Sequence, residues 1–264
     1  MSWLKRCLEV RFPLKIAKMI FFRNLKQYKN IAHGVLERKD GSANPFSNLK
    51  AEENVLRAVR DLGCGRATVD NLIFADQVHG KNVHYCPSDI SGYIKLNVDG
   101  LASATLGQIL VIKTADCLPI LIYDPEKNQV AAIHAGRKGL IKGVIQKAMA
   151  VLNSNNKALI VGIGPHIKKC CYFLRKKDEE YIKNPKWQKY AEKRNGKYYF
   201  DLTRIAFGQL KDLGVKEKNI EDMGICTFCE AKRFFSARKR DAEPNFYAEE
   251  KDNFPCFGSF IGLR

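Results

Sequence analysis

The chain has 264 residues, is 45% hydrophobic and 28% charged, and carries a formal net charge of +17. That length and balance suit a single globular domain with an ordinary core, and no run of 18 or more apolar residues offers a membrane span. Nine cysteines, an odd number in a chain of this size, argue against a disulfide scaffold and for a reducing, cytoplasmic compartment.

Residues 1–30 hold eight Lys/Arg against one acid, Glu9. We read residues 1–18 as a basic extension and 19–264 as the domain. Lys15 and Lys18 interrupt the apolar stretch there, which argues against a secretory signal. Met19 to Phe22 reads as the start of a first strand. Lys50 to Leu62 reads as a helix, with Val55, Leu56, Val59 and Leu62 at helical spacing and Gly63 ending it. Asn71 to Ala75 is a strand that closes in Asp76-Gln77-Val78-His79-Gly80, so His79 sits where a strand runs into a glycine turn.

The hairpin that follows is the most informative stretch. Ile109 to Lys113 and Leu118 to Asp124 are apolar runs separated by Thr114-Ala115-Asp116-Cys117. Pro125 to Asn128 is a turn, and Gln129 to Ile133 returns toward His134. If Asp124 pairs with Gln129, the register carries Cys117 opposite Gly136, with His134 on the diagonal, roughly 7–8 Å away. His79, Cys117 and His134 then form a candidate His₂Cys set. Three such ligands with a vacant fourth position are what catalytic zinc uses; the competing reading is three unrelated polar residues at strand ends.

Leu140 to Leu152 carries the apolar stripe of a second helix, and Leu159 to Gly162 a buried strand. Asp201 caps a third helix that stops at Gly214, and Cys256 to Leu263 is a final strand. Such a mixture predicts α/β or α+β layers. The second helix begins just after His134, and Gly136, Arg137 and Lys138 at its start suit an anion, glycine admitting close approach and the basic pair adding charge. A plain strand-to-helix glycine turn is the alternative.

The remaining charge is scattered beside acids, as in Lys176-Lys177-Asp178-Glu179-Glu180, which reads as solvated surface and disfavours a nucleic-acid face. Cys226-Thr227-Phe228-Cys229 has metal or redox spacing but no second such pair, and reads as structural or incidental. Cys170 and Cys171, adjacent on an extended segment, are expected to point apart, one buried and one partly exposed.

Several ordered blocks carry a resemblance. Asp76-Gln77-Val78-His79-Gly80, Thr114-Ala115-Asp116-Cys117-Leu118-Pro119, His134-Ala135-Gly136, Ile163-Gly164-Pro165, Cys170-Cys171-Tyr172, Phe200-Asp201-Leu202, Cys226-Thr227 and Phe234-Phe235-Ser236-Ala237-Arg238 resemble the signature of the laccase-domain family. It is also called the multicopper polyphenol oxidase family, and its members are described as purine nucleoside phosphorylases. The resemblance covers nearly the whole chain. It implies mixed β-sheets stacked face to face with flanking helices in a single domain, and a metal on His79, Cys117 and His134. It further implies phosphorolysis of adenosine, inosine, guanosine and methylthioadenosine, with adenosine deamination as a second activity. Purine nucleosides and phosphate would be its partners.

The chain departs from the family pattern in places. Arg137-Lys138-Gly139 replaces the usual Trp-Arg-Gly, His166 replaces a cysteine, and Lys168-Lys169 replaces a Gly-Pro. Arg38, in a reduced early block, and Arg238 are the other arginines in family-like positions, expected as catalytic groups holding a phosphate or ribose oxygen. Asp76, Asp99 and Asp116 are candidates for the carboxylate that orients a metal-bound imidazole. His33, His84 and His166 read as surface or core residues, His33 near the site. Five histidines with no His-X-His pair, and four methionines away from the ligand blocks, make zinc the better fit and copper the poorer one. Two rival functions stay open: a zinc- or thiol-dependent hydrolase that edits cell-wall precursors, and a nucleic-acid-binding protein using the basic tail.

Overall fold

Strands that are apolar on both faces must be covered on both faces, which dictates a layered fold. A computed structural model describes residues 19–45, 50–62, 67–90, 92–247 and 254–264. The basic extension predicted over 1–18 lies outside the described residues. Three strands, β6 (Ile109–Thr114), β7 (Leu118–Asp124) and β8 (Gln129–Ala135), are buried along their whole length.

Two mixed sheets are built around them. One has the order β1 (Ile31–Val35), β13 (Phe257–Leu263), β6, β2 (Leu72–Asp76), β4 (Tyr93–Asn97). The other runs β12 (Ile220–Asp222), β9 (Ile160–Ile163), β7, β8, β5 (Gly100–Ser103), β3 (Val83–Tyr85). A separate hairpin joins β10 (Ala191–Arg194) to β11 (Lys197–Phe200). Alternate residues sort to opposite faces. Leu110 and Ile112 of β6 and Phe257 and Ile261 of β13 meet Leu121 and Tyr123 of β7 and Val130 and Ala132 of β8 between the sheets.

Ile109 and Val111 face outward and are covered by α2 (Ala51–Asp61), which follows the short α1 (Arg23–Lys26). Leu118, Ile120 and Ile122 face the other way, under α3 (Arg137–Lys142), α4 (Val144–Leu152) and α6 (Leu202–Asp212). The short α5 (Pro185–Gln188) and α7 (Ala237–Ala242) complete the helices. The result is a single domain of helix, sheet, sheet and helix layers. No helix among the described residues is long and apolar enough to cross a membrane.

Because β7 is apolar on both faces, hydrophobicity alone does not choose its register; a one-residue slip would exchange one apolar set for another. The turn chooses it. The buried Asp124 carboxylate accepts from the Glu126 and Lys127 N–H groups at 2.9 and 3.2 Å and from Gln129 Nε2 at 3.3 Å. Asp124 thereby pairs with Gln129, and the register runs back to Pro119 opposite His134 and Leu118 opposite Ala135. This is the pairing expected from the sequence.

Two expectations are corrected. The predicted helix over 140–152 is two helices, because Gly143 adopts a left-handed backbone (φ 89°) between them. Met19 to Phe22 is not a strand: Ile20 makes one isolated bridge to Val35, and the chain then turns into α1.

His33 sits on β1 with its ring against Phe21 and Phe22, and its Nε2 lies 3.3 Å from the Phe22 carbonyl oxygen. Burial pushes its pKa down to about 4, helped by Arg264 and Lys26 and opposed by the Phe22 carbonyl and Glu221. A histidine depressed in the folded state binds its proton more readily when unfolded. Its contribution to stability is therefore full above about 6.5 and is lost as pH falls toward 4, worth up to about 3 kcal/mol. Urea unfolding of His33→Gln at pH 7, 5.5 and 4 is expected to show a shallower acid loss than wild type. Equal slopes would remove His33 as a cause.

Candidate metal centre

Of the three links by which the chain crosses from the first sheet to the second, two lie side by side. Strands β2 and β6 are parallel neighbours, so their C-terminal ends lie side by side. His79 lies in the link from β2 to β3, and Cys117 in the link from β6 to β7. Gln77 ties the links together: its Nε2 donates to the Lys113 carbonyl at 2.7 Å, and its Oε1 accepts from the Lys113 N–H at 2.9 Å. His134 arrives from the other side, near the end of β8. Parallel pairing, hairpin register and one amide clamp thus bring three distant residues to one corner.

Their donor atoms all lie within 4.8 Å of one another. Cys117 Sγ is 3.8 Å from His79 Nε2, and the two imidazole rings meet edge to face with centroids 4.7 Å apart. A tetrahedral zinc with ordinary Zn–S and Zn–N bonds requires donors roughly 3–4 Å apart, so the set fits a mononuclear ion with little movement. His134 is buried, Cys117 half-buried and His79 exposed, so the centre opens on the His79 side.

Asp99 organises it. The carboxylate is fully buried; Oδ1 accepts from His134 Nδ1 at 2.7 Å and from the His79 N–H at 2.8 Å, while Oδ2 accepts from the Gly80 N–H at 2.6 Å. A proton on Nδ1 of His134 leaves Nε2 as the ring's ligand atom. Burial alone would raise the Asp99 pKa, but His134 and the two N–H groups hold it below the usual value. Burial likewise opposes charge on Cys117 and His134. Their mutual attraction wins, with help from His79 on the thiol and Asp99 on the imidazole, bringing the thiol down to about 6 and His134 up to about 9. The pair is therefore a thiolate against an imidazolium; the thiolate is the form a metal binds, and a metal would displace the His134 Nε2 proton.

Asp116 and Asp76 lie elsewhere. Asp116, in a left-handed backbone (φ 93°), is buried and accepts from Thr227 Oγ1 and the Arg238 N–H, each at 2.6 Å. It anchors the neighbouring loops rather than an imidazole. Asp76 interacts electrostatically with Lys113; the carboxylate behind the imidazole is Asp99. Of the other histidines, His33 is in the core as described. His166 is buried, with Nδ1 2.8 Å from the Gly164 carbonyl oxygen and Nε2 2.7 Å from Thr203 Oγ1. Neither joins the centre, and His33 is not near it because β1 carries its ring onto Phe21 and Phe22.

A cavity of about 380 Å³ opens on the centre, lined by Val78, His79, Cys117, Arg137, Lys138, Tyr172, Arg175, Lys177, Asp178 and Arg238. Arg137 donates through Nη2 to Asp178 Oδ1 at 2.8 Å and lies over Tyr181, 4.5 Å from the ring centroid. In the charged run the lysines and Glu180 stay exposed as expected, but Asp178 is drawn into the cleft wall. Its role was hidden because the residue that recruits it, Arg137, is distant in sequence. Arg238 is half-buried, donating from Nη1 to the Phe173 carbonyl at 2.9 Å and stacking on Phe173 and Tyr172. Arg38 is not among the described residues that line the cavity; its guanidinium lies over Tyr247, 5.0 Å from the centroid.

The profile of the family described as multi-copper polyphenol oxidoreductase laccase matches residues 32–244. The chain belongs to this family. It is 30% identical over 224 residues to the purine nucleoside phosphorylase SCO2081 of Streptomyces coelicolor, covering 80% of this chain and 92% of that protein. It is 26% identical to a purine nucleoside phosphorylase of Bacteroides thetaiotaomicron, covering 85% and 92%. The fold matches that of the Bacillus licheniformis hypothetical protein YfiH with a TM-score of 0.77 at 23% identity, covering 97% of this chain and all of that one. Geobacillus stearothermophilus YlmD gives a TM-score of 0.74 at 22% identity, covering 89% and 92%.

In this laccase-like chain, the glycines after His134 serve the protein's own packing. A Cβ on Gly136 would lie 2.8 Å from Cys117 Sγ and 3.2 Å from His79 Cδ2, and one on Gly139 would lie 3.0 Å from the Gly80 carbonyl oxygen. The close approach read from the sequence as room for an anion is filled by the ligands themselves. Gly136→Ala is accordingly expected to displace Cys117 or His79 and weaken metal binding by about tenfold or more, while Asp99→Asn weakens it about 10–100-fold. Competition against a chromogenic chelator measures both. Wild-type affinity in either variant would contradict the geometry.

Proposed function

We propose that this chain is a zinc-dependent purine nucleoside phosphorylase, acting on adenosine, inosine, guanosine and methylthioadenosine, with adenosine deamination at the same centre. One observation carries the reading: a thiolate–imidazole donor set opens onto a cleft whose wall holds Arg137, Lys138, Arg175, Lys177 and Arg238 against the single acid Asp178. A pocket of that sign suits an anionic co-substrate. The relatives named purine nucleoside phosphorylase agree with phosphate as that anion. The donor set fits zinc better than copper, since one thiolate and two imidazoles converge and no methionine is among the described residues lining the cleft. A reducing compartment such as the cytoplasm keeps the thiol available.

In phosphorolysis a phosphate oxygen bonds to the anomeric carbon of ribose as the bond to the purine nitrogen breaks, and the departing base takes up a proton. In deamination a water oxygen replaces the exocyclic amine, which leaves as ammonia. Zinc held by His79, Cys117 and His134 would supply Lewis-acid polarisation of an oxygen. Arg137 is the group we assign to phosphate. Its Nε and Nη1 are buried with no partner among the described residues, a deficit that a phosphate oxygen would satisfy. Asp178 and Tyr181 hold the guanidinium in place, which fixes the direction of its planar fork. Arg238, across the cleft, is assigned to a ribose or second phosphate oxygen, and its stacking on Tyr172 and Phe173 limits its motion. Lys138 completes the basic edge. We assign Arg38 no contact with substrate.

Purified, zinc-loaded protein given each nucleoside is expected to release base only with phosphate present, and to form inosine from adenosine. No base release and no inosine would refute the proposal. His79→Ala and Cys117→Ala are each expected to lose the metal and about a hundredfold or more of activity. A metal-free protein alkylated rapidly at Cys117 would point instead to a thiol-dependent hydrolase. Arg137→Ala is expected to raise KM for phosphate about 10–100-fold, as loss of charge-assisted hydrogen bonds implies, with KM for nucleoside little changed. An equal rise in both constants would remove Arg137 from phosphate recognition.

A further inference from the structure

Cys226-Thr227-Phe228-Cys229 has the spacing of a metal-binding turn and lacks a companion pair in sequence. The fold supplies one. Cys170 and Cys171 lie in a turn, in which the N–H groups of Cys171 and Tyr172 both donate to the Lys168 carbonyl, at 3.0 and 2.9 Å. In an extended segment adjacent side chains diverge; in this turn both sulfurs face the second pair, correcting the expectation that one is buried and the other points away. All four Sγ atoms lie within 4.8 Å of one another. Cys170 Sγ and Cys171 Sγ are 3.9 and 3.4 Å from Cys229 Sγ.

We propose that Cys170, Cys171, Cys226 and Cys229 bind a single zinc ion, separate from the His79–Cys117–His134 centre. A tetrahedral Cys₄ zinc requires sulfurs about 3.8 Å apart, given Zn–S bonds near 2.3 Å. The observed separations bracket that value and exceed a disulfide bond, about 2.05 Å, by well over an ångström. Four cysteines form a closed ligand set, as in structural rather than catalytic zinc. Two further features suit a thiolate cluster. The Lys168 N–H donates to Cys226 Sγ at 3.5 Å, a contact that stabilises charge on sulfur. Arg194, although paired with Glu192, also feels Cys170 electrostatically, while Lys168 and Lys169 are engaged with Asp222 and Glu192.

The position gives the ion a role. Cys171 is followed by Tyr172, which lines the cleft. Cys226 is followed by Thr227, which donates to Asp116, the residue before Cys117. One zinc would tie together the two loops that form the back of the first centre. It would act by holding walls, with no contact to substrate.

The test is metal content of the full-length chain, purified with reductant and without chelator, by elemental analysis and native mass spectrometry. Wild type is expected to hold two zinc ions per chain. Cys226→Ser/Cys229→Ser should lose one and keep the other, and His79→Ala should lose the other and keep this one. Because Cys226 is buried and its variant can fail to fold, Cys170→Ser/Cys229→Ser, at two exposed positions, decides the question on folded protein. Cobalt substitution adds an independent readout. Intense four-thiolate cobalt bands should persist in His79→Ala and fall to the weaker single-thiolate band of Cys117 in Cys170→Ser/Cys229→Ser. A single zinc unaffected by the cysteine variants, a Cys171–Cys229 disulfide in zinc-free protein, or iron with inorganic sulfide in place of zinc would each overturn the proposal.

Discussion

The buried carboxylate of Asp99 is the interaction on which this corner of the molecule depends. It lies just before β5, yet it accepts from a ring nitrogen on β8 and from two backbone N–H groups in the β2–β3 link. Its own backbone is used as well: its N–H donates to the Asn82 carbonyl at 2.8 Å, and its carbonyl accepts from the His134 N–H at 2.7 Å. A carboxylate this deep survives only when fully hydrogen-bonded. That requirement couples the two sheets, since satisfying Asp99 sets the tautomer of one imidazole and the backbone of the other.

Backbone strain is placed where the same carboxylate logic can hold it. His79 (φ 58°) and Asp116 (φ 93°) are both left-handed non-glycine residues, and both lie in links between the sheets. Such conformations cost on the order of 1–3 kcal/mol and persist only where the surroundings over-determine them. At His79 the restraint is Asp99 accepting its N–H. At Asp116 it is the residue's own buried side chain, fixed by Thr227 and the Arg238 N–H. One link presents the imidazole and the other the thiolate, so strain and ligand geometry share a cause. The cleft beyond is built differently, from guanidinium groups braced by aromatic faces and one carboxylate, which keeps a concentrated positive surface rigid enough to be selective.

The hairpin was legible because its information is local. A four-residue turn between two apolar runs, with Asp124 ready to accept from the turn's own N–H groups, fixes pairing from one end, and Cys117 and His134 follow by counting. The helix caps at Asp201 and Gly214 were legible for the same reason. Choosing among Asp76, Asp99 and Asp116 was not, because Asp76 and Asp116 neighbour ligand blocks in sequence while Asp99 is remote from all three ligands, and only the crossing of the sheets decides which carboxylate meets an imidazole. Gly136 was misread for a related reason: sequence reveals that no Cβ is tolerated, not what occupies the space. Gln77 lay within a recognised block, yet its role as a clamp emerges only once β2 and β6 are side by side.

The sequence by itself determined the buried strands and the hairpin register, since these depend on periodicity and turn chemistry, while the family and the candidate ligand set followed from the resemblance of its ordered motif blocks. Only the tertiary structure decided which groups surround those ligands. Asp99 behind His134, Asp178 beside Arg137, and two remote cysteine pairs brought into one cluster all depend on contacts between segments tens of residues apart. Their positions follow from how two sheets stack and where the chain crosses between them, and no local pattern of residues encodes that crossing.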